Sequence, residues 1–244
     1  MEVAPGEWNA LLARLGLTDV YLTREYVESS CLLEPGAPVL LAHDDAVFPL
    51  ILRAVDGRHD VVTPYGYGGP VAGDPDAAPG FYDAYAEWCR DRGVVSTFVR
   101  FHPLYENQRY SRFDADAVGA TVAAEARREG ELLAAVLCFD SAPWLHYHLG
   151  AQSDEGRRLG GSQLALLAAA QWGREGGYEL LHLGGGVGGR RDSLFEFKQR
   201  FDPGAGERAF FVGKAIHDRD AYRELAGTDS LDGFFPAYRD TSRR

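Results

Sequence analysis

The stretch from His182 to Phe201, HLGGGVGGRRDSLFEFKQRF, constrains this chain more than any other. Apolar residues run into five glycines (Gly184, Gly185, Gly186, Gly188 and Gly189) and emerge in a segment for which Asp192 or Ser193 is a suitable helix cap. A strand that hands its chain through a glycine loop to a helix needs a sheet with helices packed on it, which points to an α/β (α+β) fold. The short helix carries Lys198, one of two lysines beside 23 arginines. Where arginine is used so consistently for a cation, a retained lysine suggests a specific task.

Length and composition set the frame. The 244 residues, 45% hydrophobic with four Trp, 12 Tyr and 13 Phe, suffice for one large domain or two small ones with a substantial core. The longest apolar run, Leu164 to Trp172, is far shorter than the roughly 20 residues a membrane span needs. The opening MEVAPGEW has no basic or apolar leader pattern, and Cys31, Cys89 and Cys138 are odd in number and scattered, so a cytoplasmic, reduced protein is expected. A net charge of -11 argues against general adhesion to nucleic acid or anionic lipid, so any RNA contact must be local.

Along the chain, helices are predicted from Trp8 to Leu15 and from Thr23 to Leu33, the latter capped by Thr23. Pro38 to Ala42, Val47 to Val55 and His59 to Thr63 read as strands joined by DD and DGR turns. An irregular TPYGYGGPV segment, a helix from Phe81 to Arg92 and a strand from Val94 to Phe101 follow. The polar, acidic stretch after Pro103 suggests a first half over 1–110, a linker over 111–120 and a second half over 121–244. In that second half, strands are predicted at Thr121 to Ala124, Leu132 to Phe139 and Trp144 to Leu149. A long helix capped by Ser162 comes next, then a strand from Glu179 to Leu183, the glycine loop with its helix, a strand from Glu207 to Gly213 and a helix from His217 to Leu225. This is the pattern of the acetyltransferase-like (GNAT) fold, a mixed, largely antiparallel sheet flanked by helices.

Four motifs carry a closer resemblance: TPYGYGGP (Thr63 to Pro70), FVRFHPL (Phe98 to Leu104), HYHLGA (His146 to Ala151), and HLGGG followed by DSLFEFKQRF. In this order they resemble the Fem family of the GNAT superfamily, aminoacyl-tRNA-dependent transferases that build peptidoglycan cross-bridges. The resemblance implies two GNAT-like domains, here with a reduced second domain, because GATVAA passes at once into ARREGELLAAV. It implies aminoacyl-tRNA as co-substrate without a further cofactor, and an amine on a small peptide as acceptor. The lysine that grips the acceptor diphosphate in the family is absent, since no lysine precedes Lys198, and His102-Pro103 stands where the family often has Asp-Pro. The implied acceptor is therefore a free peptide, as in assembly of a peptide antibiotic, rather than a nucleotide-linked cell-wall precursor.

In that reading Lys198 stabilises the oxyanion of the tetrahedral intermediate. Phe197 positions the tRNA end, Gly185, Gly186, Arg190 and Arg191 contact its phosphates, and Tyr147 meets substrate. A local basic patch of Arg190, Arg191, Arg200 and Lys214 is required. Tyr65 and Tyr67 are placed around the acceptor, Arg100 on a carboxylate and His102 as acceptor of the amine's proton. Each has a plain alternative in core packing or surface solvation. His146 and His148 alternate onto one strand face, but with no third ligand suggested nearby no metal is expected. A rival reading uses Arg157, Gly160 and Ser162 before the long helix as a pyrophosphate loop for an acyl-CoA donor. A third is a non-catalytic binding protein.

Overall fold

Asp56 and Gly57 sit at φ 44° and 74°, the paired positive values with which a two-residue turn matches the twist of a hairpin. They join β2 (Ala46–Val55) to β3 (Arg58–Val62), and a turn at Asp44 and Asp45 joins β1 (Ala37–His43) to β2. These are features of a computed structural model that describes residues 1–73, 78–121, 133–204 and 206–243. The chain divides into two units, Met1–Ala117 with Phe211–Arg244, and Val118–Phe210.

In the first unit α1 (Trp8–Arg14) and α2 (Arg24–Ser30) precede β1, and the Thr23 side chain accepts from the Tyr26 N–H as the expected cap. Strand β2 is buried along most of its length because both of its faces are covered. Phe48, Leu50 and Leu52 meet Phe81, Tyr85 and Trp88 of α3 (Ala78–Asp91), while Val47 and Ile51 meet Trp8, Leu12 and Val27. Helix α3 carries the chain from β3 across to β5 (Val94–Arg100), which pairs parallel with β3. The sheet order is β1-β2-β3-β5, then β10 (Arg208–Ile216) and β6 (Asp114–Thr121), with the two-residue β4 (Val71–Ala72) beside β2. The glycine- and proline-rich segment before β4 is irregular, as its composition predicts.

Two assignments change here. The segment expected as a linker contains β6 (Asp114–Thr121), whose alternating DADAV pattern suits a strand and outweighs its acidity. Strand β10 (Arg208–Ile216) pairs antiparallel with β5, and α7 (Arg219–Ala226) then packs Ala221 and Tyr222 against Val95 and Phe235. The last segment of the chain is thus counted with the first unit. The strand expected at Thr121 to Ala124 lies beyond Thr121 outside the described residues, as does most of the ARREGELL stretch.

The second unit is a three-stranded sheet, β7 (Ala134–Ser141) antiparallel to β8 (Trp144–Gln152) and β8 parallel to β9 (Leu180–His182). Between β8 and β9 run α4 (Asp154–Leu159) and α5 (Gly161–Glu175), and Leu166, Ala169 and Ala170 of α5 close the core over Leu145, Leu181 and Leu183. The cap of α5 is Gly160 at φ 73°, not Ser162. Helix α6 (Ser193–Gln199) adds Phe197 to the same core. The mixed, largely antiparallel arrangement flanked by helices is the one the sequence predicts. Among the described residues, no helix is long and apolar enough to cross a membrane.

Candidate active site

Asp192 organises the loop that joins β9 to α6. One carboxylate oxygen accepts from the N–H groups of Leu194 and Phe195 (3.1 and 3.0 Å) and the other from Val187 (2.9 Å). These donors hold its carboxyl below the usual carboxylate range. A single side chain therefore caps the helix and pins the loop. Gly184 lies at φ 67°, which a side chain disfavours, and a Cβ on Gly186 would come within 2.2 Å of the Arg190 carbonyl oxygen and of Asp192 Oδ1. The loop closes so tightly that only glycine fits. Gly186→Ala and Asp192→Ala are each expected to lower the thermal midpoint and reduce turnover roughly tenfold, since small displacements of a reacting group are costly. Parallel melts and steady-state assays check this, and wild-type turnover in both variants would show that the loop plays no part in catalysis.

The loop holds Lys198 where the sequence expects a reactive group. Its side chain is buried, Nζ donates a 2.6 Å hydrogen bond to the Gly185 carbonyl oxygen, and it lies 5.5 Å from the centre of the Tyr147 ring on β8. Burial lowers the ammonium pKa to about 8, with the Asp192 carboxylate acting weakly in the opposite direction. Tyr147 is half-buried against the unit's core, and burial raises its hydroxyl pKa. Lys198, Gly185 and Tyr147, named from sequence as separate candidates, thus converge.

Other candidates are differently placed. Phe197 packs into the core, edge-on to Phe201 at 5.2 Å. Arg190 donates to the Val187 carbonyl oxygen, whereas Arg191 is ion-paired with Glu207 and lies over the Phe195 ring. Arg200 faces Glu196 at 3.7 Å, and Lys214 donates to the Leu231 carbonyl oxygen. The required basic patch is thus partly answered by the chain's own carboxylates. Arg157 and Arg158 belong to the last turn of α4, and Arg157 faces Asp154 at 3.4 Å. The Ser162 N–H donates to Gln152. What reads as a phosphate loop is a helix–glycine–helix corner.

In the first unit, Arg100 donates to the Thr63 carbonyl oxygen (3.0 Å) and faces Glu34 at 3.6 Å, so a carboxylate already answers its charge. Tyr65 is exposed, while Tyr67 packs on Tyr21 and His102. His102 is fully buried. Its Nδ1 accepts from the N–H groups of Leu104 and Tyr105, and its Nε2 lies 3.4 Å from Asp19 Oδ2. The neutral ring therefore carries its proton on Nε2, and the lone pair that a base would use is occupied. Asp19, equally buried, has no signal in the sequence that predicts this contact.

Residues 61–199 match the family model described as acetyltransferase (GNAT) domain. The chain belongs to this family. No curated protein matches it. The GNAT match opens in β3 and ends one residue after Lys198, so it spans the glycine loop and all of α6. A GNAT domain is an acyltransferase fold, and acyl transfer is the chemistry against which the Lys198 geometry is to be judged.

Proposed function

We propose that this GNAT protein forms an amide bond by moving an aminoacyl group from a charged tRNA to the free amine of a small peptide or peptide-like acceptor. The observation that supports this reading is the buried Lys198 ammonium, anchored on Gly185 and turned to Tyr147. An ammonium has three N–H donors, of which Gly185 takes one. The other two serve the oxyanion that forms when the amine attacks the ester carbonyl. The C–N bond forms, the ester C–O bond breaks, and the amine's proton ends on the departing ribose oxygen. A fixed cation in a dry site stabilises that charge far better than water does. The likeness to Fem motifs supports the tRNA ester as donor, and the absence of any lysine before Lys198 to grip an acceptor diphosphate supports a free, antibiotic-type peptide as acceptor.

The family match also favours a second reading, acyl-CoA as donor. Amide formation from pooled radiolabelled aminoacyl-tRNAs and small peptide amines, with and without RNase and beside acetyl-CoA, separates the two. RNase-sensitive transfer supports the tRNA donor, transfer only from acetyl-CoA replaces it, and no transfer from either opposes both.

The role of Lys198 also fixes a pH dependence. An oxyanion-stabilising lysine with a pKa of about 8 must be protonated, so turnover is expected to be level below pH 7 and to fall about tenfold per pH unit above 8. A rise through pH 8 would mean that the neutral amine acts as a base.

A further inference from the structure

A cavity of about 340 Å³ lies in the first unit, where the end of α3, the start of β5 and the turn from β10 into α7 come together. That volume is at the lower end of the range for small-molecule pockets, about 300–1,000 Å³. Cys89 and Val94 give the cavity an apolar lining, and His217 is the polar residue beside them. The His217 Nε2 meets the Thr97 hydroxyl at 2.8 Å, and that hydroxyl meets the Tyr85 hydroxyl at 2.6 Å, with Thr97 and Tyr85 both buried. The Tyr85 hydroxyl needs an acceptor, and the Thr97 oxygen is a stronger one than the Cys89 sulfur, so its proton goes to Thr97. The Thr97 proton then goes to Nε2. Burial lowers the His217 pKa to about 4, so the ring is neutral and carries its one proton on Nδ1. Nδ1 has no partner among the described residues, which leaves a fixed N–H donor on the lining.

We propose that this cavity binds a small zwitterion, an α-amino acid with a short apolar side chain, its carboxylate on His217 and Arg90 and its ammonium on Asp220. Arg90 and Arg219 bring two guanidinium groups to the lining, and Asp218 and Asp220 bring two carboxylates. A ligand of one sign would meet like charge there, whereas a zwitterion meets opposite charge at both ends. The existing bonds of these residues assign the roles. The Arg90 side chain has no ion pair or hydrogen bond among the described residues, while Arg219 faces Asp229 at 3.8 Å, so Arg90 is the guanidinium left to hold a carboxylate through two parallel hydrogen bonds. Asp218 caps α7 by accepting from the Ala221 N–H at 2.9 Å. Asp220 accepts from Arg223 at 2.9 Å through Oδ1, and its Oδ2 remains for an ammonium. Burial pushes the Cys89 thiol up to about 12, so beside Val94 it is apolar wall for the ligand side chain and not a nucleophile. The site does not depend on which acyl donor Lys198 serves.

The test is titration of the full chain, carrying nitrogen-15 histidine, with L-alanine and with L-valine, beside acetate and ethylammonium as the two half-ligands. His217→Gln identifies the His217 signals by their loss. At least one of the amino acids should move the His217 Nδ1 signal to saturation, and each half-ligand should bind about tenfold or more weakly than that amino acid, because the two charged ends act together only when joined. Arg90→Gln should weaken binding about tenfold, and since Arg90 is exposed the change leaves the fold intact. The rise in thermal midpoint that the amino acid produces should shrink in the same variant. No saturable shift with either amino acid, acetate or ethylammonium binding as tightly as the better of the two, or undiminished binding by Arg90→Gln would overturn the site.

Discussion

Lys198→Met is expected to reduce turnover by about 10²–10³ while making the fold more stable. The first effect is the loss of one preorganised donor to an oxyanion, worth about 3–4 kcal/mol in the transition state. Acceptor binding should change much less, because the charge develops only as the bond forms. The second effect follows from the lowered pKa of Lys198. The folded value of about 8 is below the ordinary 10.5, so folding opposes the charged form. That penalty, about 3 kcal/mol, is complete below pH 8 and fades as the pH rises toward 10.5. Methionine removes it but leaves the Gly185 carbonyl oxygen without its 2.6 Å donor, which returns about 1 kcal/mol. A net gain of about 1–2 kcal/mol at pH 7 is expected in urea unfolding. If kcat is unchanged, the lysine has no part in catalysis, and a loss of stability would mark it as a structural residue.

Asp60→Ala is expected to cost about 3–5 kcal/mol. Asp60 is fully buried between Arg53 Nε at 2.7 Å and Arg239 Nε at 3.0 Å, while Arg53 also reaches Glu34 at 2.6 Å. Removing the central carboxylate leaves the buried Arg53 guanidinium with Glu34, and leaves the C-terminal segment tied to β2 by the Arg239–Ala54 hydrogen bond without its ion pair. The midpoint of denaturant unfolding should fall accordingly, and a loss under about 1 kcal/mol would mean that water already screens the pair.

These two residues differ in how far the sequence reveals them. Lys198 is visible because a scarce residue type stands in a motif with strong local structure: a glycine loop, an aspartate cap and a short helix. Asp60 is one acid among 36, and its partner Arg239 lies 179 residues away. His102 occupies an intermediate position. Its place at the end of β5 is readable from strand alternation, and the amides that take its lone pair belong to its near neighbours Leu104 and Tyr105, but its burial against Asp19 depends on a segment distant in sequence. Phe197 shows the same limit, because a motif fixes its helix position but not whether it faces ligand or core.

Turn chemistry, caps and periodicity act within a few residues, so the sequence by itself determined the hairpins, the Thr23 cap, the crossover helix and the glycine loop before Lys198, and narrowed the cap of the following helix to Asp192 or Ser193. Only the tertiary structure decided which strands pair across long separations, which arginines are already neutralised and which side chains the His217 ring meets. It also decided that the Lys198 ammonium is buried enough to lower its pKa. Pairing, burial and desolvation depend on what arrives from the rest of the chain, and no local pattern encodes that arrival.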